Sequence, residues 1–330
     1  MDTHDKISLK EAQNTFVNTI RSLNENDKRA FLTYIYAEWK PSETLNSPNS
    51  ENRQASEEDW DSSYNLSSSV DFNDITDDIK NMVPFDAILP SEHIAPPLKG
   101  QHAHCDSRST IHVDAFLYDD EDVAELMDEG KLANNYCADC GSKNIKSTVF
   151  ISHSMSVESL VYVFKKVLPC LRNKTVLDIG SRLGAVLYGA YRLSDAKRII
   201  GVEMNEEFCE LQSKIIKKYS MEDRIEIVNK RIEECPEIVR NSDVIMINNA
   251  FEFYLPVPVQ TEIWRFLKAN IMKGTILITF PPIVTALKDL ETDISVNGWL
   301  EVYNSNEIQF SDKMEDDYKP HPKMGYYQIL

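Results

Sequence analysis

The sequence predicts an α/β protein whose main domain, residues 151–330, is a doubly wound Rossmann-like sheet of seven strands, mostly parallel with the last strand antiparallel. Three observations carry that prediction. After Ser156, short β-branched runs alternate with amphipathic helical runs, the pattern of parallel strands joined by crossover helices. The apolar run Thr175-Val176-Leu177-Asp178-Ile179 empties into a glycine-bearing turn, Gly180-Ser181-Arg182-Leu183-Gly184, and then into a helix. The strand Ile199-Ile200-Gly201-Val202 closes on a second acid, Glu203, 25 residues beyond Asp178.

Ahead of this domain, Phe16, Ile20 and Leu23, then Phe31, Leu32, Ile35 and Tyr36, recur at helical steps around Asn24-Glu25-Asn26-Asp27, which predicts a helical hairpin over residues 1–40. Residues 41–95 are rich in Ser, Asn, Asp and Glu. With little apolar periodicity to offset ordering entropy, they read as an acidic, disordered linker. Residues 96–150 form a small Cys/His segment with an acidic helix from about Asp119 to Glu129. It ends in Cys137-Ala138-Asp139-Cys140-Gly141, a turn that aims two sulfurs at one point, half of a tetrahedral zinc site. Zinc on Cys137, Cys140, Cys105 and His112 is the expectation, with His102, His104 or His153 as substitutes; the alternative is a reduced thiol pair in a turn. Cys170, Cys209 and Cys235 stand beside apolar residues and read as core or near-core thiols.

In the main domain the expected order is helix Val157–Leu168, strand Thr175–Ile179, helix Ala185–Leu193, strand Arg198–Val202 and helix Glu206–Tyr219. There follow strand Ile225–Val228, a helix near Ile232–Val239, strand Val244–Ile247, helix Thr261–Ala269 and strand Gly274–Phe280. Trp299–Tyr303 and Tyr326–Leu330 complete the sheet as an antiparallel pair.

The charge is unevenly placed. Of the net −18 over 330 residues, residues 41–90 contribute −9 and residues 91–135 contribute −7, while residues 136–330 are close to neutral. Phosphate binding needs clustered Lys and Arg, and no such stripe exists, so unassisted nucleic-acid binding is not expected. A basic protein partner suits the acidity better; the bland alternative is a solvated linker. No apolar run approaches the ~18 residues of a membrane span, and the opening residues carry no secretory signal, so a cytoplasmic or nuclear location without membrane association is expected. Ser-His-Asp arrangements, a phosphate-cradling glycine-lysine loop and an H-E-x-x-H text are absent, which leaves hydrolase and nucleotide triphosphatase readings unsupported.

The turn after Thr175–Ile179 lets backbone approach a ligand and aims helix N–H groups at it, and a carboxylate at the tip of the adjoining strand can grip both hydroxyls of a ribose. On these residues the segment 151–330 resembles the class I, seven-stranded S-adenosylmethionine-dependent methyltransferases. The resemblance implies S-adenosylmethionine as cofactor, with Asp178, Gly180, Ser181 and Gly184 at its methionine end, Glu203 and Met204 at its ribose, and Asn248 nearby. Two positions depart from the family. Arg182 stands where a third glycine is usual, so its side chain must leave the cofactor path or alter the pocket, and Arg231 follows the third strand in place of the acid common near the adenine.

Past the fourth strand lies Asn248-Asn249-Ala250-Phe251-Glu252-Phe253-Tyr254. Amides can orient an amine lone pair and aromatic faces can stabilise a methylated cation, so Asn248, Asn249, Phe251 and Phe253 are the candidate catalytic residues. The text is similar, more weakly, to the Asn-Asn-Phe-x-Phe segment of seven-strand histone-lysine methyltransferases, with Ala250 in place of the first Phe. The implied activity is methyl transfer to a nitrogen on a protein side chain. The alternatives are a catalytically silent partner-binding module with the same fold, and a methyltransferase acting on RNA or a small molecule.

Overall fold

The computed structural model describes residues 72–96, 110–133, 135–137, 145–290, 292–303 and 324–330. The hairpin expected over residues 1–40, and the linker as far as residue 71, lie outside the described residues.

The rest of the expected linker is structured. Helix α1 (Asn73–Lys80) buries Ile75, Thr76 and Ile79, and Phe72 joins them in the core. These apolar residues are sparse within Asp- and Asn-rich text, but their three- and four-residue spacing puts them on one face. Burial of an Ile or Phe side chain is worth about 1.5–3 kcal/mol, enough to dock a short helix that would not persist alone. Ion pairs and hydrogen bonds fix its polar edge: the Arg192 guanidinium grips the Asp74 carboxylate at 2.7 and 2.9 Å, and the Tyr219 hydroxyl donates to Asp78 at 2.6 Å.

Strand β1 (Thr110–His112) is followed by helix α2 (Asp120–Asp128), which starts on a capping box between Asp119 and Asp122 and buries none of its residues. Strands β2 (Asn135–Cys137) and β3 (Ile145–Ser147) pair antiparallel, and β4 (Val149–Ile151) returns to pair parallel with β1. Phe116 and Leu117 enter the same core as α1. The boundary expected near residue 150 is therefore no boundary in the packing, and Leu66–Leu330 forms one unit.

Helix α3 (Val157–Tyr162) is capped by the Ser156 side chain and continues as a π turn over Val163–Val167. Then come β5 (Thr175–Ile179), α4 (Ala185–Leu193), β6 (Arg198–Glu203), α5 (Glu206–Lys218) and β7 (Ile225–Asn229). The helix expected over Ile232–Val239 is divided into a 3-10 turn, Ile232–Glu234, and a short α6 (Pro236–Arg240). Pro236 lacks the N–H needed to continue one helix and suits the first turn of the next. After β8 (Val244–Asn248), helix α7 (Val257–Asn270) begins earlier than expected because Pro258 is tolerated in its first turn. Strand β9 (Ile276–Phe280), an unanticipated helix α8 (Ile283–Asp289), β10 (Leu300–Val302) and β11 (Gly325–Ile329) complete the chain.

The large sheet has the order β10-β11-β9-β8-β5-β6-β7, seven strands as expected. Only β11 is reversed, antiparallel to both β9 and β10. One apolar cluster, with Leu160, Leu187, Tyr188 and Phe208, covers one face, and a second, with Val239, Trp264, Leu267 and Leu287, covers the other. Chain connections run outward from β5 in one direction and from β8 in the other, so the strand order reverses between them. A crevice opens at such a point above the strand tips. No described helix is long and apolar enough to cross a membrane.

Candidate functional site

The turn after β5 floors that crevice. Gly180 (φ +75°) donates its N–H to the Val202 carbonyl at 2.8 Å, tying the turn to β6. Gly184 (φ +88°) starts α4, and a Cβ there would lie 2.6 Å from the Tyr188 ring, so both backbone angle and space demand glycine. Ser181 does not face the crevice: its buried hydroxyl donates to Gln212 Oε1 at 2.9 Å and braces the turn against α5.

Asp178 and Glu203 lie at the ends of neighbouring parallel strands, and both are buried, at 3% and 7% exposure. Glu203 accepts the Asn205 N–H on Oε1 at 2.8 Å and the Arg182 N–H on Oε2 at 3.0 Å. Among the described residues, none donates a hydrogen bond to the Asp178 carboxylate. Burial, with the Glu203 charge adding to it, pushes Asp178 up to about 8. Burial also raises Glu203, against the pull of the Asn205 and Arg182 N–H groups.

The cation next to these acids is used elsewhere. Arg182, itself in the left-handed region (φ +44°) and 6% exposed, lines the cavity together with Glu92, and its guanidinium is held by acids of earlier chain segments. Nε and Nη2 donate to the Glu92 carboxylate at 2.8 and 3.1 Å, Nη1 donates to Asp114 Oδ2 at 3.0 Å, and Nη2 also reaches the Ala87 carbonyl. The guanidinium lies over the Phe208 ring, 5.1 Å from its centroid. Of the two outcomes expected for Arg182, the structure shows its side chain forming part of the cavity wall, and it latches two earlier stretches of chain onto the glycine turn. Glu92 and Asp114 were not singled out from the sequence; an arginine in place of a glycine was the one signal that such partners had to exist.

Beyond the latch, the Ser91 hydroxyl bonds to Asn205 and Glu207, and the Ala95 N–H donates to the Phe253 carbonyl at 2.9 Å. Ser91, Glu92 and His93 border a cavity of about 230 Å³. Its walls include Glu203, Arg231, Ile232, Phe251 and Ile263, with Met204, 54% exposed, at the rim. Arg231 pairs with Glu233 at 2.9 Å. Ile179 and Gly180 line the cavity; Asp178, which precedes them in the chain, is not among its lining residues. On the side of β8 the turn is in close contact: a Cβ on Gly180 would lie 2.9 Å from Ala250 Cβ.

Asn248 and Asn249 lie in the walls of this cavity and of a larger cleft beside it. Their amide Nδ2 groups donate to the His153 and Ser152 carbonyls at 3.3 and 3.1 Å, and Asn249 (φ +49°) donates its N–H to Phe280 at 2.7 Å. The strand end thereby grips the loop after β4. Phe251 (7% exposed) packs edge-on against Trp264 and Phe253 (2% exposed) edge-on against His153; both are buried, and both also line the larger cleft. The aromatic with a polar atom at the site is Tyr254, quoted with them in the sequence but not assigned a role. Its hydroxyl is buried without a partner among the described residues, and burial raises its pKa.

Of the expected zinc ligands and their substitutes, only His112 and His153 have described side chains. His112 Nδ1 lies 2.9 Å from His153 Nε2 and the rings stack at 5.1 Å, a contact made by the β1–β4 pair. Cys105, Cys140 and the Cys137 side chain lie outside the described residues. No described group of three or more His, Cys, Asp and Glu could hold a metal. Cys209 and Cys235 are buried as expected, but Cys170 is exposed, where Asp195 flanks its thiol at 3.5 Å.

No family model and no curated protein matches the chain. Among solved structures, it is similar to a precorrin-6y C5,15-methyltransferase from Geobacter metallireducens (16% identity, 42% of this chain and 69% of that one, TM-score 0.34). It is similar also to an RNA methyltransferase from Salinibacter ruber in complex with S-adenosyl-L-homocysteine (18% identity, 37% and 72% covered, TM-score 0.29). A third is a putative S-adenosyl-L-methionine-dependent methyltransferase from Methanococcus maripaludis (20% identity, 37% and 54% covered, TM-score 0.32). At such identities and TM-scores these likenesses carry no site and no substrate to this chain; the fold rests on the strand order and the site on its own geometry.

Proposed function

We propose that this chain is an S-adenosylmethionine-dependent methyltransferase that methylates a nitrogen on a protein side chain. The observation that carries the reading is the pair of buried carboxylates, Asp178 and Glu203, at adjoining strand tips beside a cavity, with the nearest guanidinium committed to Glu92 and Asp114. Desolvated acids with raised pKa values at the carboxyl ends of neighbouring parallel strands are suited to a cationic ligand that bears hydroxyls.

The residues present fit the donor in parts. Each Glu203 oxygen keeps a lone pair beyond its backbone N–H bond and can accept a ribose hydroxyl. Ile232, Phe251 and Ile263 offer an apolar wall for a base. When bound, the donor supplies a methyl group already activated by its sulfonium charge. Asp178 would stabilise that positive charge from the end of β5. Asn248 and Asn249, with Nδ2 held by the loop after β4, would present their carbonyl oxygens to orient an acceptor amine, so that alignment does most of the work. The acid-rich middle of the chain supports a protein acceptor over RNA. Binding of radiolabelled S-adenosylmethionine is expected to disappear in Asp178→Ala and in Glu203→Ala; unchanged affinity in both would defeat the assignment.

One observation favours a second reading, a silent module of the same fold. Gly180 packs closely enough on Ala250 that a Cβ there would lie 2.9 Å from it, which narrows the cavity beside the glycine turn. Calorimetry with S-adenosylmethionine separates the two, since a saturable isotherm would defeat the silent module.

A further inference from the structure

The cavity shares a wall with a much larger cleft of about 1,820 Å³, and Asn248, Asn249, Tyr254 and His93 belong to both. The cleft runs from that wall past β4 to helix α2. Its described lining includes five carboxylates, Asp119, Asp120, Glu121, Glu158 and Glu252, and no lysine or arginine. Asp119, Asp120, Glu121 and Glu158 are exposed and make no ion pair with a described cation. Between these acids the surface is apolar: Met127 and Val123 of α2, then Val149 (43% exposed) and Val257 (37% exposed). Val123 and Met127 of helix α2 are half-buried, and no residue of that helix is fully buried. At the inner end Tyr254, whose buried hydroxyl has no hydrogen-bond partner among the described residues, lines both spaces.

We infer that this cleft is the acceptor site and that it takes a basic peptide, with lysine or arginine side chains set among small apolar ones. The inference rests on the methyltransferase reading for what happens at the inner end, but the docking itself does not. A volume of this size exceeds the roughly 300–1,000 Å³ of a small-molecule pocket, and suits an extended polypeptide. Carboxylates of one sign along apolar walls, four of them with no ion pair to a described cation, select a cation-bearing chain and repel nucleic acid. A cationic side chain at the inner end would meet the Tyr254 hydroxyl and the Asn248 and Asn249 carbonyl oxygens, all of which can accept a hydrogen bond from it.

The test uses the full chain and a fluorescein-labelled peptide of alternating lysine and alanine, followed by fluorescence anisotropy, with glutamine-for-lysine and RNA oligonucleotide controls. Saturable binding of the lysine peptide alone is expected, weakening as salt rises. Glu121→Lys with Glu158→Lys should weaken it by about tenfold or more, and the size-conserving Glu121→Gln with Glu158→Gln should act in the same direction with a smaller effect. Equal binding of the glutamine peptide, preferential binding of RNA, or unchanged affinity in both double variants would overturn the inference. S-adenosylmethionine affinity, measured on the same samples by calorimetry, is expected to stay constant across the variants. Its absence from the parent chain would instead defeat the proposed function while leaving the peptide result to stand or fall alone.

Discussion

The buried Asp178 carboxylate makes the stability of the donor-free protein fall as pH rises. Its pKa moves from 3.8 in an exposed setting to about 8 in the fold, because burial and the adjacent Glu203 disfavour the ionised form. The folded state therefore holds this proton more tightly than the unfolded chain. The stabilisation is fully present below the unfolded value and is lost progressively until the pH passes the folded one. At about 1.4 kcal/mol per pH unit, the loss between pH 6 and pH 9 is about 2–3 kcal/mol, since the slope flattens near 8. For a domain of this size that corresponds to about 5–10 °C in melting temperature. Asp178→Asn keeps the shape and removes the titration. Thermal melts at several pH values should show the parent losing ground steadily from pH 6 to pH 8 while the variant lacks that component. Parallel curves for the two proteins would refute the claim that Asp178 is a desolvated acid. If the site takes a sulfonium donor, the same proton must leave on binding, so S-adenosylmethionine affinity should rise over this pH range and the calorimetric heat should depend on buffer ionisation.

Arg182→Met leaves Glu92 and Asp114 buried without their cation, which is expected to cost about 3–5 kcal/mol in a urea titration and to speed hydrogen exchange at the Ala87 and Ala95 amides. Tyr188→Phe runs the other way: the Tyr188 hydroxyl is fully buried with no partner among the described residues, so its removal should be neutral or stabilise by about 1 kcal/mol in the same assay. Gly184→Ala introduces a Cβ 2.6 Å from Tyr188 at a positive φ and should destabilise by about 1–3 kcal/mol, with part of the loss recovered when Tyr188 is shortened to leucine.

Much of the sheet was legible because its strands carry their own signal. Thr175–Ile179 is apolar and β-branched, is buried on both faces, and stops at a glycine; its bounds in the structure are those expected. Glu203 was likewise readable as the end of an apolar run, and it does end β6. Helix α8 escaped because Pro281 and Pro282 precede it and Ile283-Val284-Thr285 reads as a strand by composition. Helix α1 escaped because tertiary docking stabilises it, through Ile75 and Ile79, in text whose average composition is that of a linker. At the site, residue type located the acids but not their partners. Arg182 stands 90 residues from Glu92 and 68 from Asp114, and nothing local in the sequence announces a contact across such separations. The asparagine pair shows the complementary difficulty. Its spacing marked a special strand end, but only the fold reveals that both amides hold the loop of Ser152 and His153.

The latch also determines where this domain can be cut. A shortened chain beginning after residue 150 would keep every strand of the large sheet, yet it would strip Phe72, Ile75, Ile79, Phe116 and Leu117 from one side of that sheet and leave Arg182 facing water with neither acid. Such a fragment should be prone to aggregate, because the surface uncovered is apolar and continuous. The smallest piece to inherit the crevice with its latch intact starts no later than Phe72.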